Sequence, residues 1–122
     1  GLRVPIYVAD TAEQAYSEPE ASAMFSAHRL GARVGSYATY GGTTGDWQAE
    51  SDRILGMSYD DWLRDKVVYG TAGAVTDRLT EIQEALNLDQ FMFEVNYGSQ
   101  IPQERQHKSL KLFMENVAPS FR

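Results

Sequence analysis

Three short clusters in this 122-residue chain carry groups that could bind or react: Asn96-Tyr97-Gly98, Gly70-Thr71 and Glu94. Asn96 and Tyr97 follow a run rich in Phe and Val. An amide and a phenol at the carboxyl end of a strand can hydrogen-bond a small ligand at the rim of a parallel sheet. The competing role for the same residues is to start a turn. Gly70-Thr71 poses a similar choice, because a Gly after a strand and a Thr opening a helix can offer backbone N–H groups to an anion. They can equally make a plain turn and an N-cap, which is favoured here because no phosphate fingerprint accompanies them. Alternation puts Met92, Glu94 and Asn96 on one strand face and Phe91, Phe93 and Val95 on the other, where helices should cover them. A carboxylate on an inward face is costly without a partner, so Glu94 is assigned a structural pairing ahead of a site role. Tyr7 and Ala9 oppose Val4, Ile6 and Val8 in the same way, so Tyr7 is either an inward residue whose hydroxyl needs a partner or, more commonly for such a position, plain core.

Other patterns lack the companions that their chemistry requires. Gly41-Gly42-Thr43-Thr44-Gly45 has no following Lys-Ser/Thr and fits no nucleotide fingerprint. Glu104 and His107 have the spacing of a di-iron ligand pair without its second copy. His28 and His107 read as packing residues on or beside apolar helical faces. Asp60-Asp61 and Glu18/Glu20 read as helix-start acids that complement the dipole. There is no nucleophile elbow, and with no cysteine there is no disulfide, thiolate nucleophile or Cys-ligated metal.

Composition narrows the class of protein. With 43% hydrophobic and 23% charged residues the chain is an ordinary globular domain. A net charge of −6, with 11 basic residues dispersed along the sequence, argues against a nucleic-acid surface. No apolar run reaches the ~20 residues needed to span a bilayer, and a signal-peptide pattern is lacking, so a cytoplasmic site is expected.

The elements that must position these residues follow from periodicity and caps. The pattern predicts a strand over 3–9, helices over 11–30, a flexible loop over 31–47, helices over 49–65, a strand over 67–70, a helix over 72–86, a strand over 90–97 and a helix over 102–117. Thr11-Ala12-Glu13-Gln14 and Ser17-Glu18-Pro19-Glu20 both have the form of a capping box, so 11–30 is one kinked helix or two meeting near Ser17. Ala21, Met24, Phe25 and His28 are expected on its inner face. Ser58 caps a later helix carrying Trp62 and Leu63. Val75, Leu79, Ile82 and Leu86 share a face that Asn87 terminates, and Leu110, Phe113, Met114 and Val117 share another that Pro119 ends. Strands alternating with helices read as parallel α/β, because parallel neighbours need a helical crossover.

The order Val68-Tyr69-Gly70-Thr71 with Val75, Asp77, Arg78 and Leu79, then Phe93-Glu94-Val95-Asn96-Tyr97-Gly98, then Ser109-Leu110-Lys111-Leu112-Phe113 and Val117-Ala118-Pro119-Ser120-Phe121-Arg122 resembles the C-terminal end of luciferase-like flavin-dependent monooxygenases, the bacterial luciferase superfamily. Val4-Pro5-Ile6-Tyr7-Val8-Ala9-Asp10-Thr11 is similar to the family's sixth strand and following helix start. Ala72-Gly73-Ala74 departs from the Pro and acidic residues common after Gly-Thr in the family. The resemblance implies that residues 1–122 are the last three β/α units of a (β/α)8 TIM barrel. Its cofactor would be reduced FMN, or the deazaflavin F420 in some branches, and with O2 it would oxidise a small organic substrate. The family's main flavin-phosphate contacts and catalytic histidine lie on earlier strands and carry over to no position here. Asn96 and Tyr97, with Gly70 and Thr71, are the implied cofactor-side residues, and no catalytic residue is assigned.

Three strands leave two open sheet edges and an inner face without an opposite wall, so self-association or a missing N-terminal part is expected. Two functions therefore compete: an inactive C-terminal piece of a flavin monooxygenase or F420-dependent oxidoreductase, and a non-catalytic α/β assembly module.

Overall fold

Residue alternation along the first strand divides the molecule into two faces. In this computed structural model, which describes residues 2–40 and 47–121, β1 (Leu2–Val8) is buried from Val4 through Val8. Val4, Ile6 and Val8 enter one apolar cluster, while Tyr7 and the following Ala9 enter another. The remaining elements are α1 (Ala12–Ser17), α2 (Glu20–Tyr40), α3 (Trp47–Leu55), α4 (Tyr59–Asp65), β2 (Val68–Gly70), α5 (Ala72–Leu86), β3 (Phe91–Glu94) and α6 (Gln103–Asn116), with a 3₁₀ turn at Ala118–Phe121.

The strands form one parallel sheet in the order β2-β1-β3. β2 pairs through Ile6↔Val68, Tyr7↔Tyr69 and Val8↔Gly70, and β3 through Leu2↔Phe91, Arg3↔Met92, Val4↔Phe93 and Pro5↔Glu94. Because β2 begins pairing only at Ile6, Pro5 has a strand partner on one side alone, a place where proline is tolerated. The chain steps from β1 to β2 on one flank and returns to β3 on the other. With crossovers of one hand, that reversal sends the connecting helices to opposite faces. Val75 and Leu79 of α5, with Val117 after α6, pack on the Val4/Ile6/Val8 face. Ala15 of α1 and Ile101 pack against Tyr7 and Ala9, and beside them Ala23, Ala27, Ile54 and Trp62 of α2, α3 and α4 pack with Tyr69.

The parallel α/β class is as the sequence predicts, but the strand order differs from that of a barrel arc. An arc keeps chain order and would put β2 in the middle. The reason for the difference lies in the strands: β1 spans seven residues with five consecutive buried positions, whereas β2 has three residues and β3 four. The long apolar strand takes the doubly flanked position, and short strands suit edges. Both faces are covered, so the expected bare inner wall is absent among the described residues.

Local chemistry accounts for most boundaries. Thr11 Oγ1 accepts from the Gln14 N–H at 3.1 Å, and Ser58 with Asp61 forms a complete capping box. Asn87, at φ 51° and ψ 50°, ends α5. The Ser17 capping box is not formed: Ser17 Oγ donates to the Glu13 carbonyl instead, and Pro19 separates α1 from α2.

Three further expectations are corrected. Helix α2 continues through residues 31–40 rather than giving way to a loop; the remaining 41–46, with the Gly41–Gly45 pattern, lie outside the described residues. Gly31 and Gly35 act as contact points there, not breakers, because they let α3 approach with Leu55 over one and Ser51 over the other. Ser51 Oγ donates to the Gly31 carbonyl at 2.7 Å. The inner face of α2 is Ala23, Ala27, Gly31 and Val34; Ala21, Phe25 and His28 are exposed, as is His107. Small residues face the neighbouring helices because a close crossing leaves no room for Phe. Finally, β3 stops at Glu94 rather than at 97, because the residues after it are bent into a turn.

On α6, Ser109 is buried where Leu110 and Met114 were expected, since its Oγ accepts from the Val8 N–H at 2.8 Å. A buried backbone donor needs such a partner, so the polar residue outcompetes its apolar neighbours for the inward position.

Candidate functional site

Beyond the carboxyl end of β3, the backbone reverses through Gly98 (φ 90°) and Ser99 (φ 64°). Asn96 Oδ1 accepts from the Ile101 N–H at 2.9 Å and closes the turn. Ser22 on α2 holds the turn from the other side: its Oγ donates to the Tyr97 carbonyl at 2.5 Å and accepts from the Gln100 N–H at 3.0 Å.

Between this turn and α2 lies a cavity of about 460 Å³, lined chiefly by Arg3, Ser26, Arg29, Arg33, Glu94 and Tyr97. Arg29 and Arg33 are one helical turn apart on α2, and Arg3 reaches in from β1. Arg3 Nη2 donates to Glu94 Oε1 at 2.9 Å, so the Glu94 carboxylate has a partner, although that partner is a largely exposed side chain rather than a buried donor. The Arg29 guanidinium lies 5.7 Å from the Phe25 ring centroid, in cation–π range. Among the described residues, neither Arg29 nor Arg33 forms an ion pair. The lining therefore sets three guanidinium groups against one carboxylate.

A second polar group closes the end of β1. Tyr7 OH donates to Glu18 Oε1 at 2.8 Å, and Arg105 Nε lies 3.7 Å from Glu18 Oε2. Burial, then the bond to Glu18 and its charge, push the Tyr7 phenol above its ordinary value, with Arg105 opposing weakly. Tyr7 therefore remains protonated and acts as a donor, not a base. Lys108 Nζ, held by Asp10 at 2.6 Å, is raised by that hydrogen bond and charge. These links fasten α1 and α6 to the sheet.

The buried Tyr69 hydroxyl, Trp62 Nε1 and Gln14 Oε1 have no hydrogen-bond partner among the described residues. Burial raises the Tyr69 phenol. An unpartnered buried hydroxyl costs about 1–3 kcal/mol. Tyr69→Phe is accordingly expected to leave stability unchanged or raise it by about 1 kcal/mol, whereas Tyr7→Phe lowers it by about 1 kcal/mol. Urea midpoints compare the two; a loss of 1 kcal/mol or more in Tyr69→Phe would contradict the reading.

The four sequence-predicted site residues do not converge. Tyr97 lines the cavity, while the Asn96 side chain serves the turn. Gly70 and Thr71 sit at the end of β2 on the opposite flank of β1, at least two strand spacings or about 10 Å away. Thr71 is an N-cap whose Oγ1 accepts from the Ala74 N–H at 3.4 Å, and the Gly70 carbonyl accepts from the Ala9 N–H at 3.1 Å. The mostly polar lining of this cavity does not match the largely apolar slot that an isoalloxazine ring needs. The arginine cluster was not anticipated from sequence. Its one local signal was the four-residue spacing of Arg29 and Arg33, and Arg3 joins them only through the β1–β3 pairing.

Among the described residues, no group of three or more His, Asp or Glu is placed to hold a metal ion, and no helix is long and apolar enough to cross a membrane. The class defined is a three-stranded parallel α/β unit with helices on both faces and an arginine-lined cavity beside its third strand. No protein-family model matches the chain, and no curated protein matches it in sequence.

Proposed function

We propose that this chain is the C-terminal part of a luciferase-like, FMN-dependent monooxygenase, a class that uses reduced flavin and O2 to oxidise a small organic substrate, and that it does not turn over alone. The observation that carries this reading is the run of parallel β/α units, with the Asn96–Ser99 turn at the carboxyl end of the last strand. In open and closed parallel α/β sheets, ligands sit at those ends. The β1–β2 pairing is the one that consecutive barrel strands make. In this reading β3 occupies the flank of β1 that an earlier barrel strand would otherwise take.

In this reading the principal flavin contacts belong to earlier strands, as the resemblance implies. Flavin fluorescence titrations with FMN and riboflavin test the proposal. No saturable quenching is expected for this chain alone with riboflavin, which carries the ring and lacks the phosphate. Quenching and flavin-dependent oxygen consumption are expected once it is joined to the first five β/α units of a luciferase-like barrel. Failure of the joined, folded protein to bind flavin would sink the reading. Oxidation of reduced F420 in place of reduced FMN would move it to the F420-dependent branch.

A second reading, a non-catalytic assembly module, is favoured by the covering of both sheet faces. The edges left for pairing belong to β2 and β3. Sedimentation of a dimer at micromolar concentration, with flavin binding absent in either protein, would support it.

A further inference from the structure

We propose that the cavity between α2 and the β3 turn is a binding site for a small phosphate monoester, held as a dianion by Arg3, Arg29 and Arg33. The chain carries a net charge of −6, yet this cavity gathers three guanidinium groups around a single carboxylate. Like charges one helical turn apart repel, by about 0.2–0.5 kcal/mol for an exposed pair. Arg29 and Arg33 recover none of this through ion pairs among the described residues. An anion between them reverses the sign of the interaction.

The residue type narrows the ligand. The planar guanidinium fork grips phosphate oxygens in pairs, which a lysine ammonium cannot do. The excess of two positive charges over Glu94 matches a phosphate monoester, which carries about −1.5 to −2 near pH 7. Glu94 has a defined part: it pairs with the largely exposed Arg3 at 2.9 Å, and its charge disfavours a weaker monoanion such as a simple carboxylate. Ser26 on α2 and Ser99 in the turn also line the cavity and supply hydroxyls. A volume of about 460 Å³ exceeds what a bare phosphate needs and lies in the range of small-molecule sites, about 300–1,000 Å³. The polar lining suits a hydroxylated organic part better than an alkyl tail.

This site stands apart from the flavin reading and survives its failure. Isothermal titration of the full chain with glycerol 3-phosphate, inorganic phosphate and glycerol tests it. Saturable binding of glycerol 3-phosphate is expected, weakening as salt rises, with none for glycerol. Arg29→Gln and Arg33→Gln should each weaken binding about tenfold or more, the affinity expected from loss of one charged hydrogen bond. Arg29→Lys and Arg33→Lys should fall between. Arg53→Gln, which alters an exposed pair with Glu50 on α3, should bind as the parent does. In the unmodified protein, the Arg29 and Arg33 side-chain N–H resonances should shift on adding glycerol 3-phosphate, a readout independent of whether any variant folds. Absence of saturable binding, equal binding by the folded Gln variants, or unmoved arginine resonances would each overturn the proposal. Binding to phosphatidic acid vesicles without binding of glycerol 3-phosphate would overturn the small-molecule form of it.

Discussion

Gly98→Ala is expected to lower stability by about 3–4 kcal/mol and to loosen the cavity wall. Two separate effects add. At φ 90° any L side chain is strained, by about 1–2 kcal/mol in the left-handed region. The new Cβ would also fall within the van der Waals envelope of the Ser22 carbonyl on α2. That neighbour is backbone inside a helix, so the turn must move rather than the helix. Displacing the turn breaks both hydrogen bonds made by Ser22 Oγ, to the Tyr97 carbonyl and from the Gln100 N–H. Each contributes about 1 kcal/mol.

A mutant cycle separates these effects. Ser22→Ala alone should cost about 2 kcal/mol, and almost nothing once Gly98→Ala has already parted the bonds. Urea unfolding of the four proteins gives the coupling. Full additivity, or a Gly98→Ala loss under 1 kcal/mol, would show that the turn does not depend on its contact with α2.

This turn also shows where sequence reading stops. Alternation identified the two faces of β1 and β3, because side-chain direction in a strand depends only on parity. Caps identified α4 and α5, because Ser58, Thr71 and Asn87 act on backbone groups within a few residues. What depended on distant partners was lost. Gly31 and Gly35 look like helix breakers until α3 is seen packed on them, and the inner face of α2 follows from that crossing. The position of β1 between β2 and β3 depends on the relative lengths of three strands, which is a tertiary comparison. The cavity was hidden for the same reason: Arg3 and Arg33 line one space only after β3 has paired along β1 and the Ser22 contact has brought its turn to α2. Glu94 was legible as a residue in need of a partner, while the identity of the partner was not.

Trp62→Ala is expected to cost about 3–5 kcal/mol. Trp62 is 1% exposed on a helix of only seven residues. So short a helix has little intrinsic stability and depends on its packed face. Its indole lies in the cluster formed by Ala23, Ala27, Ile54 and Val67, joining α2, α3 and the approach to β2. The unpartnered Nε1–H offsets only part of that packing, because a buried donor costs about 1–3 kcal/mol while truncating the side chain opens a large void. Trp62→Phe divides the two contributions: it removes the donor with a smaller void, so its loss should stay under half that of Trp62→Ala. Leu86→Ala is the control, since Leu86 is 58% exposed and should change stability by no more than about 0.5 kcal/mol. If Trp62→Phe matches Trp62→Ala in urea unfolding, the indole nitrogen has a partner that stabilises it. If both variants instead behave like Leu86→Ala, α4 is not held through this side chain and the cover over the tyrosine face of the sheet must be supported elsewhere.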